Sequence, residues 1–219
     1  MTAYPRVEPL GDSALLAILG EGVDLELAGR VSRLALAIRQ LAEPGVQGVV
    51  PAYTSLAVHF DPLITDTDSL ARRMAELAAR ELTSAAQDAA PSRRLHVLPV
   101  RYDGPDLATV ADRLRLAPAE LVRRHVERTY HVLFLGFVPG FGYLGPLNPA
   151  LALPRRDEPR RRVAAGSVAI AGAQTAVYPV ETPGGWHLIG QTETVLFDPA
   201  RDPPNLLATG DLVRFEPVL

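Results

Sequence analysis

Three stretches of this 219-residue chain hold residue types suited to chemistry on a small molecule. Gly136 to Gly145, GFVPGFGYLG, uses four glycines and a proline to set an unusual backbone path while Phe137, Phe141 and Tyr143 present aromatic faces. It reads either as a tight loop packing aromatics into a core or as an aromatic-lined pocket mouth. Pro154 to Arg162, PRRDEPRRR, places five Arg within eight residues. Guanidinium forks match phosphate and carboxylate bidentately, so Arg155 or Arg160 is expected to touch an anion; a solvated charged loop is the alternative. Gly166 to Trp186, GSVAIAGAQTAVYPVETPGGW, sets Gln174 and Thr175 as hydrogen-bonding groups among Ala, Val and Gly. Such small neighbours let a ligand approach the backbone, and equally let a barrel strand bend.

Other chemistries are excluded by residue type. There is no cysteine, hence no disulfide scaffold, thiolate metal site or Cys nucleophile. All 22 basic residues are Arg, so a P-loop lysine, a Schiff base and a lysine general base are absent. His59, His96, His125, His131 and His187 form no His-Glu-x-x-His pattern, and no metal site is expected. Ser167 lacks the Gly-x-Ser-x-Gly elbow of serine hydrolases.

Positioning these stretches requires a folded scaffold, and the composition supplies one. The hydrophobic fraction is 47% and the charged fraction 21%, as in ordinary globular proteins. A net charge of −3 gives no global attraction to nucleic acid or an anionic membrane, and Asp157 and Glu158 interrupt the arginine run. No apolar run approaches the ~20 residues of a membrane span and the start lacks signal-peptide order, so a cytoplasmic location is expected.

The first part of the chain alternates element types. Ala14 to Leu19 reads as a strand, and Leu25 to Leu41 as a helix with Leu27, Val31, Leu34, Ile38 and Leu41 on one face. Val46 to Val50 and Ser55 to Phe60 read as two strands joined near Pro51, and Asp68 to Leu82 as a helix capped by Asp66 or Thr67. This order suggests an α+β sandwich of the ferredoxin-like kind over residues 1–87. Residues 83–92, small and polar, are expected to be a linker. Over 93–219, one strand at Leu95 to Tyr102 and two short helices (Asp106 to Leu114, Pro118 to about Arg128) precede short β runs: HVLFLGF, SVAIAG, TAVYPV, WHLIG, TVLF and DLVRF. Many short strands with regular turns predict a closed barrel or sandwich.

GFVPGFGYLGPL, PRRDEPRRRVAAGSVAIAGAQTAVYP and TPGGWHLIGQT together resemble the family known variously as 5-oxoprolinase B subunit, KipI-type kinase inhibitor and allophanate hydrolase subunit 1. The likeness extends to Gly11–Leu16, VVPAYTSLAVHFDP, YDGPDL and LFDPARDPPNLLATGDLVRF, nearly the whole chain. It implies an α/β N-terminal domain and a mostly-β, cyclophilin-like barrel domain. It also implies one component of an ATP-dependent 5-oxoprolinase opening 5-oxoproline to L-glutamate. Two further chains would complete that enzyme, a barrel partner of the C type and a separate A-type subunit, with ATP, and Mg with it, shared with the partner.

Carried over by motif, His125, Arg155 and Arg160 are the catalytic candidates. Phe137, Gly140, Phe141, Tyr143, Gln174, Thr175 and Tyr178 are the substrate-binding candidates. Arg156, Gly166, Ser167 and Trp186 also match motif positions. Gly142 and Ala164 stand where relatives carry Pro, Ala176 where they carry Gly, and Gln191 where they carry Arg. The resemblance leaves two alternatives open: an inhibitor of a sporulation-type histidine kinase, or a carboxyltransferase-like subunit for urea-type amides. A chain without lysine cannot supply the Ser-Ser-Lys arrangement of amidase-signature hydrolysis.

Overall fold

The computed structural model describes residues 4–22, 25–83 and 94–218. Two compact units make up the chain, Met1–Pro91 and Ser92–Leu219. The expected linker at 83–92 lies, apart from Thr83, outside the described residues.

In the first unit the elements are β1 (Arg6–Pro9), β2 (Ala14–Ile18), α1 (Leu25–Gln40), β3 (Val46–Pro51), β4 (Ser55–Phe60) and α2 (Thr67–Thr83). Their sheet is antiparallel, in the order β1-β2-β4-β3. β1 had no signal in the sequence: four residues ending in Pro9 carry too little alternation, and pairing with β2 is what makes them a strand. Helix α1 buries Val31, Leu34 and Ile38 as its periodicity requires, while Leu27 and Leu41 pack at the margin of the same core. Asp66 Oδ1 accepts the Ser69 N–H at 2.6 Å, which caps α2, and Leu70, Met74 and Ala78 face inward.

The second unit runs β5 (Leu95–Val100), α3 (Leu107–Leu114), α4 (Pro118–Val126), β6 (Thr129–Leu135), β7 (Gly142–Gly145), a 3-10 turn at Pro149–Leu151, β8 (Arg160–Val163), β9 (Ser167–Ala171), β10 (Gln174–Val177), β11 (Thr182–Gly184), β12 (His187–Gln191) and β13 (Leu212–Pro217). Seven strands form one sheet, β12-β9-β10-β7-β6-β13-β5, antiparallel except for the parallel β5–β13 pair. The outer strands approach each other: Arg101 and Gln191 exchange two N–H···O bonds of 2.8 Å, so the sheet nearly closes into a barrel. Of the expected strands, TVLF at 194–197 is absent and contributes only an isolated Phe197–Asn205 bridge. Conversely, part of the aromatic-glycine stretch is itself the strand β7.

Glycine makes the closing seam possible. A Cβ on Gly104 would stand 2.5 Å from Gly190 N, Ile189 C and Leu188 O, and one on Gly190 would stand 2.8 Å from Arg101 O. With no side chain at either point, the segment after β5 lies flat along β12, joined by Gly104 N–H to Ile189 O and Asp106 N–H to Leu188 O.

The barrel sheet has two apolar faces. Val168, Ile170, Val177, Val132, Val213 and Phe215 point into the larger core together with Val110 of α3 and Leu121 of α4. Ala169, Ala171, Ala176 and Leu188 point the other way, to a smaller cluster with Phe141, Val163, Tyr178 and Trp186. The alanines explain the alternation in SVAIA: β9 is buried on both faces, and only methyl-sized side chains leave room for four large rings above them.

Candidate functional site

The aromatic cluster is assembled from two of the three stretches that stood out in the sequence, and the arginine stretch runs beside it. Phe141 lies at its centre, edge-on to Tyr143 (centroids 4.9 Å), Tyr178 (5.3 Å) and Trp186 (5.8 Å). Edge-to-face packing lets each ring's positive rim meet a neighbour's negative face. The Trp186 backbone N–H donates to the Tyr178 hydroxyl. Burial raises the Tyr143 and Tyr178 hydroxyls above the usual phenol range, and the positive charge of Arg155 pulls both back in part. Arg155 therefore borders the cluster. Phe137 stands at the rim, 59% exposed, with its ring 5.4 Å from Phe141. Its φ of +68° is a left-handed conformation uncommon for a bulky residue. Gly140, at φ +81°, passes so close to Phe197 that a Cβ would collide with it and would crowd Pro179.

Beside the cluster, two arginines converge on one buried carboxylate. Asp106 Oδ1 accepts Arg160 Nη2 at 2.6 Å and Arg156 Nη1 at 3.2 Å, and its Oδ2 accepts the Leu188 N–H at 2.7 Å. Burial alone would raise the Asp106 pKa, but the Arg160 hydrogen bond, the Leu188 amide and the two guanidinium charges together hold it below the usual carboxylate value. Two donors here have no partner among the described residues although they are shielded from solvent, Arg160 Nη1 and Arg156 Nε; elsewhere on the cluster's face of β10, Gln174 Nε2 is likewise unpartnered. Buried N–H groups without acceptors cost free energy, and an anion or carbonyl placed among them would recover it.

Sequence reasoning missed Asp106 as a site residue and placed it as the first residue of the helix Asp106 to Leu114; α3 begins at Leu107 instead. Asp106 is the N-cap residue of α3, but its side chain makes no capping bond.

Gln174 and Thr175, adjacent in sequence, part company in the fold. Gln174 shares the face of Ala176 and the aromatic cluster, whereas Thr175 points into the main core. There it meets His125, fully buried, through a 2.9 Å contact to Nε2. Thr175 spends its own proton on Ala169 O at 3.0 Å, so it must accept from His125 Nε2–H. Tyr102 then donates to Nδ1 at 2.7 Å, leaving a neutral imidazole with both nitrogens satisfied. Burial depresses its pKa to about 3. His125 stacks on Phe215 with ring centroids 4.7 Å apart. The structure thus brings Arg155, Arg160, Phe137, Gly140, Phe141, Tyr143, Gln174 and Tyr178 to one side of the sheet and His125 and Thr175 to the other. His125, expected as a catalytic residue, and Thr175, expected to bind substrate, thus lie on the core side of the sheet, bonded to each other and away from the aromatic cluster.

Gln191, expected from the resemblance to stand in place of an Arg, donates to Ala165 O at 2.9 Å and fastens the turn before β9. Among the described residues no group of three or more His, Asp or Glu could hold a metal ion, and no helix is long and apolar enough to cross a membrane.

Residues 5–207 match the family described as carboxyltransferase domain, subdomain C and D. A Bacillus subtilis protein named as the B subunit of 5-oxoprolinase is 40% identical over 98% of this chain and 93% of its own length. One of the same name from Escherichia coli O157:H7 is 44% identical over 95% of this chain and 94% of its own. The crystal structure of TTHA0988 superimposes with a TM-score of 0.82 at 39% identity, covering 94% of this chain and 40% of that longer one. The chain belongs to the carboxyltransferase-domain C and D family and, within it, to the 5-oxoprolinase B subunits.

Proposed function

We propose that this chain is the B component of an ATP-dependent 5-oxoprolinase, converting 5-oxoproline to L-glutamate in the cytoplasm. It works in complex with a barrel partner of the C type and a separate A-type subunit, and is inactive without them. One observation carries the reading beyond the relatives' names: cationic side chains pinned by a buried carboxylate stand beside an aromatic cluster, with unpartnered N–H donors on Arg156 and Arg160. 5-Oxoproline has matching parts, an apolar ring edge for aromatic faces and a carboxylate and lactam carbonyl for donors.

A lactam carbonyl is a poor electrophile, and ATP supplies the phosphoryl group that activates its oxygen. The unpartnered donors of Arg156 and Arg160, with the charge of Arg155 near the same cluster, suit the oxygens of a phosphate or carboxylate. Phe137, Phe141, Tyr143 and Tyr178 exclude water from the apolar side, and Gly140 keeps the loop close. Among the described residues no group of three or more His, Asp or Glu could hold Mg²⁺ by itself, so the ion would be held chiefly by the nucleotide phosphates.

For the fold, we assign the first unit to the ferredoxin-like sandwiches and the second to the cyclophilin-like barrels, as domains 1–87 and 93–219. Supporting the first, α1 and α2 pack on a sheet whose two central strands, β2 and β4, are antiparallel neighbours separated in sequence by a helix and a strand. β1 takes the edge beside β2, where a last strand would otherwise lie.

The test is reconstitution with the two partner chains and measurement of 5-oxoproline-dependent ATP hydrolysis. Turnover requiring all three chains is expected. An intact, folded complex that hydrolyses no ATP when 5-oxoproline is added overturns the proposal.

A further inference from the structure

We infer that Asp106 is a positioning residue that presets Arg156 and Arg160 as a seat for the carboxylate of the substrate. The identity of that substrate rests on the 5-oxoprolinase reading above; the seat itself rests on geometry. Asp106 is the N-cap residue of α3, yet its carboxylate is withheld from the helix. One oxygen is fixed by the Leu188 N–H of β12, so the carboxylate plane is set by the barrel seam and not by a mobile partner. The other oxygen takes both arginines, each through a single terminal nitrogen. Neither guanidinium is used up: Arg160 keeps Nη1 and Arg156 keeps Nε without acceptors, both shielded from water.

Charge points the same way. Two guanidiniums against one carboxylate leave one positive charge in excess, carried by arginine side chains that are 34% and 24% exposed while Asp106 is 7% exposed, so the excess charge lies where a solute can reach it. A monoanion supplies the missing charge, and a planar carboxylate suits guanidinium N–H groups. The aromatic rings of Tyr178 and Trp186 lie beside this segment, because Gly184 of β11 pairs with Arg160 of β8 and abuts the Tyr178 hydroxyl. An apolar ring bearing a carboxylate would satisfy both features, whereas inorganic phosphate shares only the oxyanion.

Trp186 is the single tryptophan of the chain, so its fluorescence reports binding on the full chain without partner chains or turnover. Titrations with 5-oxoproline, with 2-pyrrolidinone (the same lactam without the carboxylate) and with inorganic phosphate separate the sources of the oxyanion. Saturable binding of 5-oxoproline at least about tenfold tighter than of the other two is expected, one charge-assisted contact being worth about that factor. Phosphate binding as tightly as 5-oxoproline, or pyrrolidinone matching it, overturns the carboxylate assignment. In the reconstituted complex, Asp106→Asn is expected to raise KM for 5-oxoproline about tenfold while KM for ATP and kcat change little. Asp106→Glu, which keeps the charge but moves it by one methylene, provides a second variant if Asn impairs folding, and is expected to give a smaller rise in the same KM. Loss of thermal stability with KM unchanged in the folded fraction of either variant assigns Asp106 to the fold alone and overturns the inference. Absence of turnover in the wild-type complex would overturn the oxoprolinase reading, while the fluorescence arm still decides the seat.

Discussion

His125 Nε2 lies 2.9 Å from Thr175 Oγ1, joining α4 to β10 inside the barrel core across fifty residues of sequence. Proton positions along this chain are determined by elimination: Tyr102 donates to His125, His125 to Thr175, and Thr175 to Ala169 O. His125→Ala would open a cavity against Phe215 and leave two buried hydroxyls with a lost partner. The expected loss is about 3 to 5 kcal/mol of unfolding free energy, measured by urea denaturation. A loss under about 1 kcal/mol would show that the network does not hold the core.

Acid should weaken the fold through the same residue. The folded His125 titrates near 3 because burial disfavours its charged form, against an ordinary value of 6.5. Between those values the unfolded chain binds a proton that the folded chain refuses. Its contribution is therefore fully present above 6.5 and is lost as pH falls toward 3, at up to about 1.4 kcal/mol per pH unit. Asp106, whose carboxyl is depressed, acts in the same direction below its ordinary 3.8. Denaturant titrations from pH 7 to 4 should show a steeper decline in wild type than in His125→Gln, and equal slopes would refute this origin.

Within the arginine segment, Arg160 and Arg162 should behave differently. Arg160→Ala strips one of two cations from a buried carboxylate, with an expected cost of about 1 to 3 kcal/mol along with lost activity. Arg162 pairs with Glu181 in the open, at 77% and 53% side-chain exposure, so Arg162→Ala should leave the unfolding midpoint where it was. Thermal melts of both variants make the comparison.

Two glycines test the barrel seam. Gly104→Ala drives a methyl into the backbone of Leu188 to Gly190 and is expected to cost about 1 to 3 kcal/mol or more. Gly172→Ala meets nothing within 4 Å, and only its φ of +57° opposes it, for a cost of about 1 kcal/mol. Equal melting temperatures for the two variants would contradict the close approach at Gly104.

Phe137 tests whether backbone strain serves the site. Phe137→Asn places a residue tolerant of φ +68° at an exposed position, so the melting temperature should hold to within about 2 °C despite the lost contact with Phe141. Turnover of 5-oxoproline by the reconstituted complex should fall several-fold; unchanged turnover would mean that this ring takes no part.

Local patterns in the sequence were enough to read much of this protein. Helical periodicity located α1 and α2, because burial of one face repeats every three or four residues whatever the partner. Clusters of aromatic, arginine and small residues marked the stretches that meet on one side of the barrel. The absence of lysine and cysteine settled which nucleophiles and bases this chain lacks. What tertiary structure decided was which of these residues face one another. Strand alternation puts Gln174 and Thr175 on opposite faces, but only the pairing of β10 with β7 and β9 assigns one face to the aromatic cluster and the other to His125. Asp106 shows the same limit: its partners Arg156, Arg160 and Leu188 lie 50, 54 and 82 residues away. A carboxylate chooses between capping its own helix and holding distant arginines according to where the barrel seam closes, and closure is a property of long-range strand pairing.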